Sequence, residues 1–293
     1  RFEGQSAGYI RGRFQSVEEL THHVADELWY TDDTQMAIGV AETLVANGRI
    51  VEDRLCEAFV ANYTPSRGYG RGARAVLDAM EDGRDYRAVA VKYFPGGSYG
   101  NGAAMRVAPV GLLFRSDPQA VLDQSRLSAL PTHVHPLGIE GAQLLALAVA
   151  HASSEEKFDR DAFLRSLLTH CQSVEYRDKI SAAANIRTME ELTLLGNGIE
   201  ALESVPTAIA SFALTPHLYQ DTIGNVILLG GDTDTLAAMA GAISGAFLGM
   251  AAIPKILFDR LEDSAIGKSY IVELADRLLA AYEDRNPTAT SEK

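Results

Sequence analysis

Apolar residues recur at helical spacing along almost the whole chain, and this limits the possible folds more than any other property of the sequence. Residues 35–46 (QMAIGVAETLVA) are representative: Ala37, Val40 and Leu44 fall on one face, with Ile38, Ala41 and Val45 beside them. Asn47-Gly48 then supplies a helix stop. The same period predicts helices over 17–29, 52–63, 71–81, 118–129, 138–152, 160–172, 188–194, 203–213, 220–228, 235–250, 254–260 and 268–283. Alternating runs of Val, Ile and aromatic residues, which would mark strands, are scarce. The expectation is an all-α fold. Residues 1–284 form a single multi-helix domain, and 285–293 (RNPTATSEK), polar and proline-bearing, read as a disordered tail.

Charge narrows the partners. With 26 Lys and Arg against 39 Asp and Glu, the net charge of −13 repels phosphate backbones and argues against duplex nucleic acid. A small phosphorylated ligand stays open, because a bound metal can reverse the local sign. Cys56 and Cys171 form no CxxC pair and read as reduced thiols of a cytoplasmic protein. No secretory signal opens the sequence, and a start at Arg1 rather than methionine reads as a trimmed terminus. Leu236–Ile253 (LAAMAGAISGAFLGMAAI) runs 18 residues without a charge, at the threshold of a membrane span. Its Ala and Gly content and the lack of a flanking basic cluster predict a buried, closely packed helix instead.

Two acidic clusters carry the chemistry. Thr31-Asp32-Asp33-Thr34 precedes a predicted helix, and Asp232-Thr233-Asp234-Thr235 follows Gly230-Gly231 at the start of another. Each has an ordinary reading as a helix N-cap, since Thr and Asp oxygens accept first-turn N–H groups. Adjacent carboxylates exceed what a cap needs, however, and repel unless a cation lies between them. If the fold joins the two starts, about 200 residues apart, four carboxylates and several hydroxyls converge. Such an all-oxygen set suits Mg²⁺, Mn²⁺ or Ca²⁺ rather than Zn²⁺, and its charge suits two ions.

Gly97-Ser98-Tyr99-Gly100-Asn101-Gly102 reads either as a connecting loop or as a nucleotide loop, with amides for pyrophosphate and Tyr99 for a base. It lacks the P-loop pattern. His133, in Thr132-His133-Val134-His135, reads either as a ligand hydrogen-bonding group or as a capping or surface residue. No GxSxG motif or reactive-cysteine setting is present.

Taken together, TDDTQMA (31–37), GSYGNGAAMRVAPVGL (97–112), THVHPLGIEGAQLLALAVA (132–150), GNGIEALESVPTAIASF (196–212) and GGDTDTLAAMAGAISGAFLGM (230–250) resemble the ADP-ribosylglycohydrolase family, the fold of dinitrogenase reductase-activating glycohydrolase. They run in family order over nearly the whole chain. The resemblance is greatest to the branch acting on serine-linked ADP-ribose, poly(ADP-ribose) and O-acetyl-ADP-ribose; the arginine-linked branch is next.

The resemblance implies an orthogonal all-α bundle, two Mg²⁺ ions with Mn²⁺ as a substitute, ADP-ribose and ADP-ribosylated proteins as partners, and a monomer. It implies metal ligation by Glu3, Thr31, Asp32, Asp33, Asp232, Asp234 and Thr235. Substrate contacts follow at Asp32, Gly97, Ser98, Tyr99, Gly100, Asn101, Gly102, His133, Gly198 and Ile199. Glu3, in Arg1-Phe2-Glu3-Gly4, matches the family's N-terminal glutamate and is the expected acid or base, with Asp33 as the other catalytic candidate. Two further readings stand beside this one: a metal-dependent nucleotide pyrophosphohydrolase, and a non-catalytic ADP-ribose-binding or structural relative.

Overall fold

A computed structural model describes residues 2–23 and 25–287. Among the described residues the regular structure is helical, with isolated bridge pairs and no strand. The chain opens with α1 (Ala7–Arg11) and α2 (Val17–His22), then α3 (Asp32–Asn47), α4 (Glu52–Asn62), α5 (Arg71–Glu81) and α6 (Tyr86–Tyr93). Next come α7 (Ala108–Leu113), α8 (Pro118–Ala129), α9 (Pro136–Ser154), α10 (Arg160–His170) and α11 (Val174–Ala183). The last third holds α12 (Ala201–Leu214), α13 (Tyr219–Leu228), α14 (Thr233–Leu248), α15 (Lys255–Arg260) and α16 (Lys268–Arg285).

The core is organised around α9. Its sequence is apolar on every side, which only a helix surrounded by others can satisfy. It packs against α7, α8, α10, α12 and α14. Gly111 of α7 makes one of these contacts possible, because a Cβ there would lie 2.4 Å from the Ala146 carbonyl oxygen. The uncharged Leu236–Ile253 stretch divides at Gly249 into α14 and a 3-10 turn, Met250–Ala252. α14 packs on α12 and α13, and among the described residues no helix is long and apolar enough to cross a membrane.

Several predicted boundaries require correction. The helix expected over 17–29 ends at His22. Beyond it the Leu28 N–H donates to the Arg260 carbonyl and the Glu262 N–H to the Leu28 carbonyl, so tertiary pairing holds this segment extended. The 188–194 stretch is a 3-10 helix, Glu190–Leu194. Four helices were not predicted: α1, α6, α7 and α11. The expected tail also begins later, because Arg285 closes α16; residues 288–293 of that tail lie outside the described residues.

Candidate active site

The two acidic clusters occupy helix starts, yet neither caps its helix. Thr31 and Asp232 stand at the N-cap positions of α3 and α14 without a side-chain capping hydrogen bond. Elsewhere Ser6, Ser16, Asp85, Asp117, Asp159 and Ser173 do cap their helices in this way. The Thr31 hydroxyl instead donates to Asp33 Oδ2 at 2.6 Å. The capping reading therefore fails at both clusters. The carboxylates also lie one turn further in than expected, since Asp32, Asp33 and Asp234 belong to the first helical turns.

The fold joins the clusters. Carboxylate oxygens of Glu3, Asp232 and Asp234 lie within 4.8 Å of one another. Asp32 and Asp33 stand outside that tight trio but are electrostatically coupled to it. Burial lifts the Asp33 carboxyl to about 7 from its ordinary 3.8; Asp234 adds to the rise, and the Thr31 and Thr235 hydroxyls oppose it. Asp32 is pushed up to about 7, first by burial and then by Asp234, Glu3 and Asp232, against its own backbone N–H. Asp232 reaches about 7 by burial, against a hydrogen bond from Asn101, with Asp234 and Asp33 adding charge. Asp33 Oδ1 and Asp234 Oδ1 are buried with no hydrogen-bond partner. Acceptor atoms left bare among carboxyls that resist ionising fit a hard divalent cation, which would satisfy the oxygens and restore their charge.

Glu3 reaches the cluster through backbone pairing. The Gly4 N–H donates to the Gly231 carbonyl and the Gly231 N–H to the Gln5 carbonyl, both at 2.8 Å. Gly231 has φ +78°, and a Cβ there would sit 2.2 Å from the Asn197 carbonyl oxygen. That same Asn197 oxygen accepts the Asp232 N–H at 2.9 Å, while Asn197 Nδ2 donates to the Leu229 and Gly230 carbonyls. Asn197 thus sets the position of Asp232, a role not read from the sequence, where only its glycine neighbours stood out. Burial, then Asp234, raises the Glu3 carboxyl above its ordinary range.

The glycine loop abuts this cluster. Asn101 is buried and donates from Nδ2 to Asp232 Oδ2 at 2.6 Å. The loop is pinned by Asn101 N–H to the Ile199 carbonyl and by Ala201 N–H to the Tyr99 carbonyl. Not all of its amides are open, contrary to the sequence reading. Those of Gly97 and Gly100 donate to the Phe94 carbonyl and to Ser98 Oγ, and the Gly198 amide donates to Glu203. Ser98 is buried, whereas Tyr99 and Ile199 are exposed at the rim, Tyr99 packing edge-on to His135.

His133 lies beneath the loop, with its Nε2 3.7 Å from where a Cβ on Gly100 would stand. Burial, and secondarily the Arg106 charge, lowers it to about 3, so the ring is neutral. Arg106, 1% exposed, donates from Nη2 to Thr132 Oγ1 and to the Ser128 carbonyl, and from Nη1 to the Gly102 carbonyl. The Thr132 hydroxyl, already an acceptor for Arg106, lies 2.7 Å from His133 Nδ1. Of the two acceptors within reach of its proton, His133 Nδ1 at 2.7 Å is closer than the Ala129 carbonyl at 3.5 Å, and donation to Nδ1 leaves the hydrogen of the imidazole on Nε2, toward the loop. The sequence reading did not single out Arg106, although the apolar neighbours Ala103-Ala104-Met105 and Val107-Ala108 are a local sign that this cation is buried.

Residues 1–288 match the model of the ADP-ribosylglycohydrolase family. The ADP-ribosylhydrolase ARH3 of Homo sapiens is 38% identical over 269 residues, covering 78% of this chain and 74% of its own. The chain belongs to the ADP-ribosylglycohydrolase family. The Escherichia coli member YegU, named as uncharacterized, is 31% identical over 80% of this chain and 75% of its own. A solved ADP-ribosylglycohydrolase-related protein complex superposes with a TM-score of 0.66 over 86% of this chain and 81% of that one, at 24% identity, which speaks to the fold alone. As an ADP-ribosylglycohydrolase the chain is a hydrolase of ribosyl bonds, acting on conjugates of ADP-ribose.

Proposed function

We propose that this ADP-ribosylglycohydrolase cleaves the ribosyl C1–O bond of ADP-ribosyl-serine, and also acts on poly(ADP-ribose) and O-acetyl-ADP-ribose. The observation that carries the reading is the Asn101–Asp232 hydrogen bond, which couples the glycine loop to the acidic cluster. A ligand with a pyrophosphate arm on the loop would have its ribose among the carboxylates.

Thr31, Asp32, Asp33, Asp232, Asp234 and Thr235, with Glu3, would hold two Mg²⁺ ions, for which Mn²⁺ can substitute. Bound there, the ions supply charge balance and Lewis acidity at oxygen. The chain's own groups do the rest. Ser98, Gly100 and Gly102 let the loop approach the pyrophosphate, Tyr99 meets the base, and His133 donates from Nε2. Asp32, Gly97, Asn101, Gly198 and Ile199 complete the substrate contacts. Hydrolysis passes through an oxocarbenium-like ribose, adds water oxygen at C1 and returns a proton to the departing oxygen. Glu3 handles that proton, standing within 4.8 Å of Asp232 and Asp234 at the exposed edge of the cluster. Asp33 holds the ribose side of the cluster and leaves proton transfer to Glu3. We place the enzyme in the cytoplasm as a monomer of one domain; the unpaired thiols Cys56 and Cys171 support a reducing compartment.

The test is a turnover panel of ADP-ribosyl-serine peptide, ADP-ribosyl-arginine, O-acetyl-ADP-ribose and poly(ADP-ribose), with Mg²⁺ and with chelator. Release of free ADP-ribose from the serine peptide only when Mg²⁺ is present is the expected result. Turnover restricted to the arginine conjugate, or unchanged in chelator, overturns the linkage or the metal respectively.

A further inference from the structure

Beside the acidic cluster, between the start of α3 and the α4–α5 connection, lies a cavity of about 380 Å³. Its lining includes Trp29, Tyr30, Thr31, Ser66, Arg67 and Gly68. None of the roles assigned above uses it, apart from Thr31. Two of its lining residues neighbour the acidic cluster. Thr31 lines it and donates to Asp33, and Gly68 lines it with its Cβ position 3.2 Å from Asp32 Oδ1. The glycine loop meets the cluster at a different carboxylate, Asp232.

The walls are fixed and electrically balanced. The Arg67 guanidinium lies over the Tyr30 ring at 4.0 Å and near the Trp29 ring at 5.5 Å. Glu262, fully buried, forms an ion pair with it and also accepts the Tyr30 N–H at 3.1 Å. Arg67 further donates to the Tyr30 carbonyl at 2.9 Å. The cation is therefore spent on the protein, and what faces the cavity is aromatic surface with hydroxyls. Trp29 is nonetheless 63% exposed. A large aromatic held out to solvent at the lip of a cavity is the usual make-up of a binding anchor.

We infer that this cavity is the leaving-group subsite, seating the uncharged peptide backbone that flanks the ADP-ribosylated residue. The inference rests on the proposed reading of the site. With the ADP-ribose arm on the glycine loop and its C1 among the carboxylates, the departing side of the bond must extend elsewhere from the cluster. This cavity adjoins Asp32 and Thr31 and has peptide-sized, charge-neutral walls. The chain's net charge of −13 disfavours acidic flanks.

Trp29 is the chain's single tryptophan and lines this cavity and a neighbouring one, so its intrinsic emission reports on this edge of the molecule. The full chain carrying Glu3→Gln is titrated with a short ADP-ribosyl-serine peptide, the unmodified peptide and free ADP-ribose, with calorimetry recording binding independently. The expected result is a blue-shifted or quenched emission with the modified peptide and none with free ADP-ribose at saturation. In the otherwise unaltered enzyme, Trp29→Ala should lower kcat/KM for the peptide conjugate relative to O-acetyl-ADP-ribose by about tenfold, through KM, and Trp29→Phe should restore most of that ratio. Equal emission changes with peptide and free ADP-ribose, or an unchanged ratio in Trp29→Ala, overturn the subsite while leaving the site reading intact. Failure of free ADP-ribose to bind overturns the site reading and the subsite with it.

Discussion

Replacing Asp33 by Asn should stabilise the metal-free protein at alkaline pH. Asp33 is 2% exposed, its Oδ1 has no partner, and its carboxyl is raised from 3.8 to about 7. Because the folded value lies above the unfolded one, this group's contribution to stability is intact below about pH 4 and is lost as pH climbs through about 7. Keeping it ionised at pH 8 therefore costs about 4 kcal/mol, at about 1.4 kcal/mol per pH unit. Asn removes that cost and keeps an oxygen for the Thr31 hydroxyl. Its new amide lacks a partner and returns about 1–3 kcal/mol. The net gain is about 2 kcal/mol, or roughly 4–6 °C in Tm for a chain of this size. The assay is thermal unfolding in chelator at pH 5 and pH 8. D33N should exceed the parent at pH 8 and lose that advantage at pH 5, where the parent's carboxyl already holds a proton. Saturating Mg²⁺ should reverse the order at pH 8. A D33N protein less stable than the parent at both pH values in chelator would refute the reasoning.

Glu3→Gln should lower turnover about 10²–10⁴-fold while calorimetry shows ADP-ribose affinity little changed. Thr132→Val should cost about 1–3 kcal/mol, and ¹⁵N shifts of His133 should move from a clean Nε2–H pattern to a mixture of tautomers; an unchanged pattern would remove Arg106 and Thr132 from the positioning of that ring. Gly231→Ala meets both a left-handed backbone and the Asn197 oxygen, so it should cost about 2 kcal/mol or more and shrink the Mg²⁺-induced rise in Tm, read by the same melts.

The sequence was most legible where local rules and tertiary packing agree. Helices α5 and α8 have the limits their periodicity predicts, and Gly48 closes α3 with φ +67° as a stop residue should. Local rules failed where long-range contacts decide. Ala25–Trp29 has helix-compatible composition, but Leu28 pairs with the 260–262 segment. α6 escaped because none of its residues is fully buried, leaving no apolar stripe to read. α11 was readable from its Ser173 cap and from Tyr176, Ile180 and Ala183 on one face, and went unread. At the site the carboxylates were visible as residue types, whereas the failure of Thr31 and Asp232 to cap could be seen only in three dimensions. Asn197 and Arg106 act through backbone carbonyls remote in sequence, and no spacing rule encodes those contacts.

The pairing of Gly4 and Gln5 with Gly231 also governs when the site can exist during synthesis. A nascent chain carries Glu3, Asp32 and Asp33 from the start, but the groups that hold Glu3 in place emerge more than 220 residues later. Until Asp234 has left the ribosome the Glu3, Asp232 and Asp234 carboxylates cannot be gathered into their trio. The pairing that completes the cluster closes the longest loop in the site, which places it among the contacts of highest closure cost.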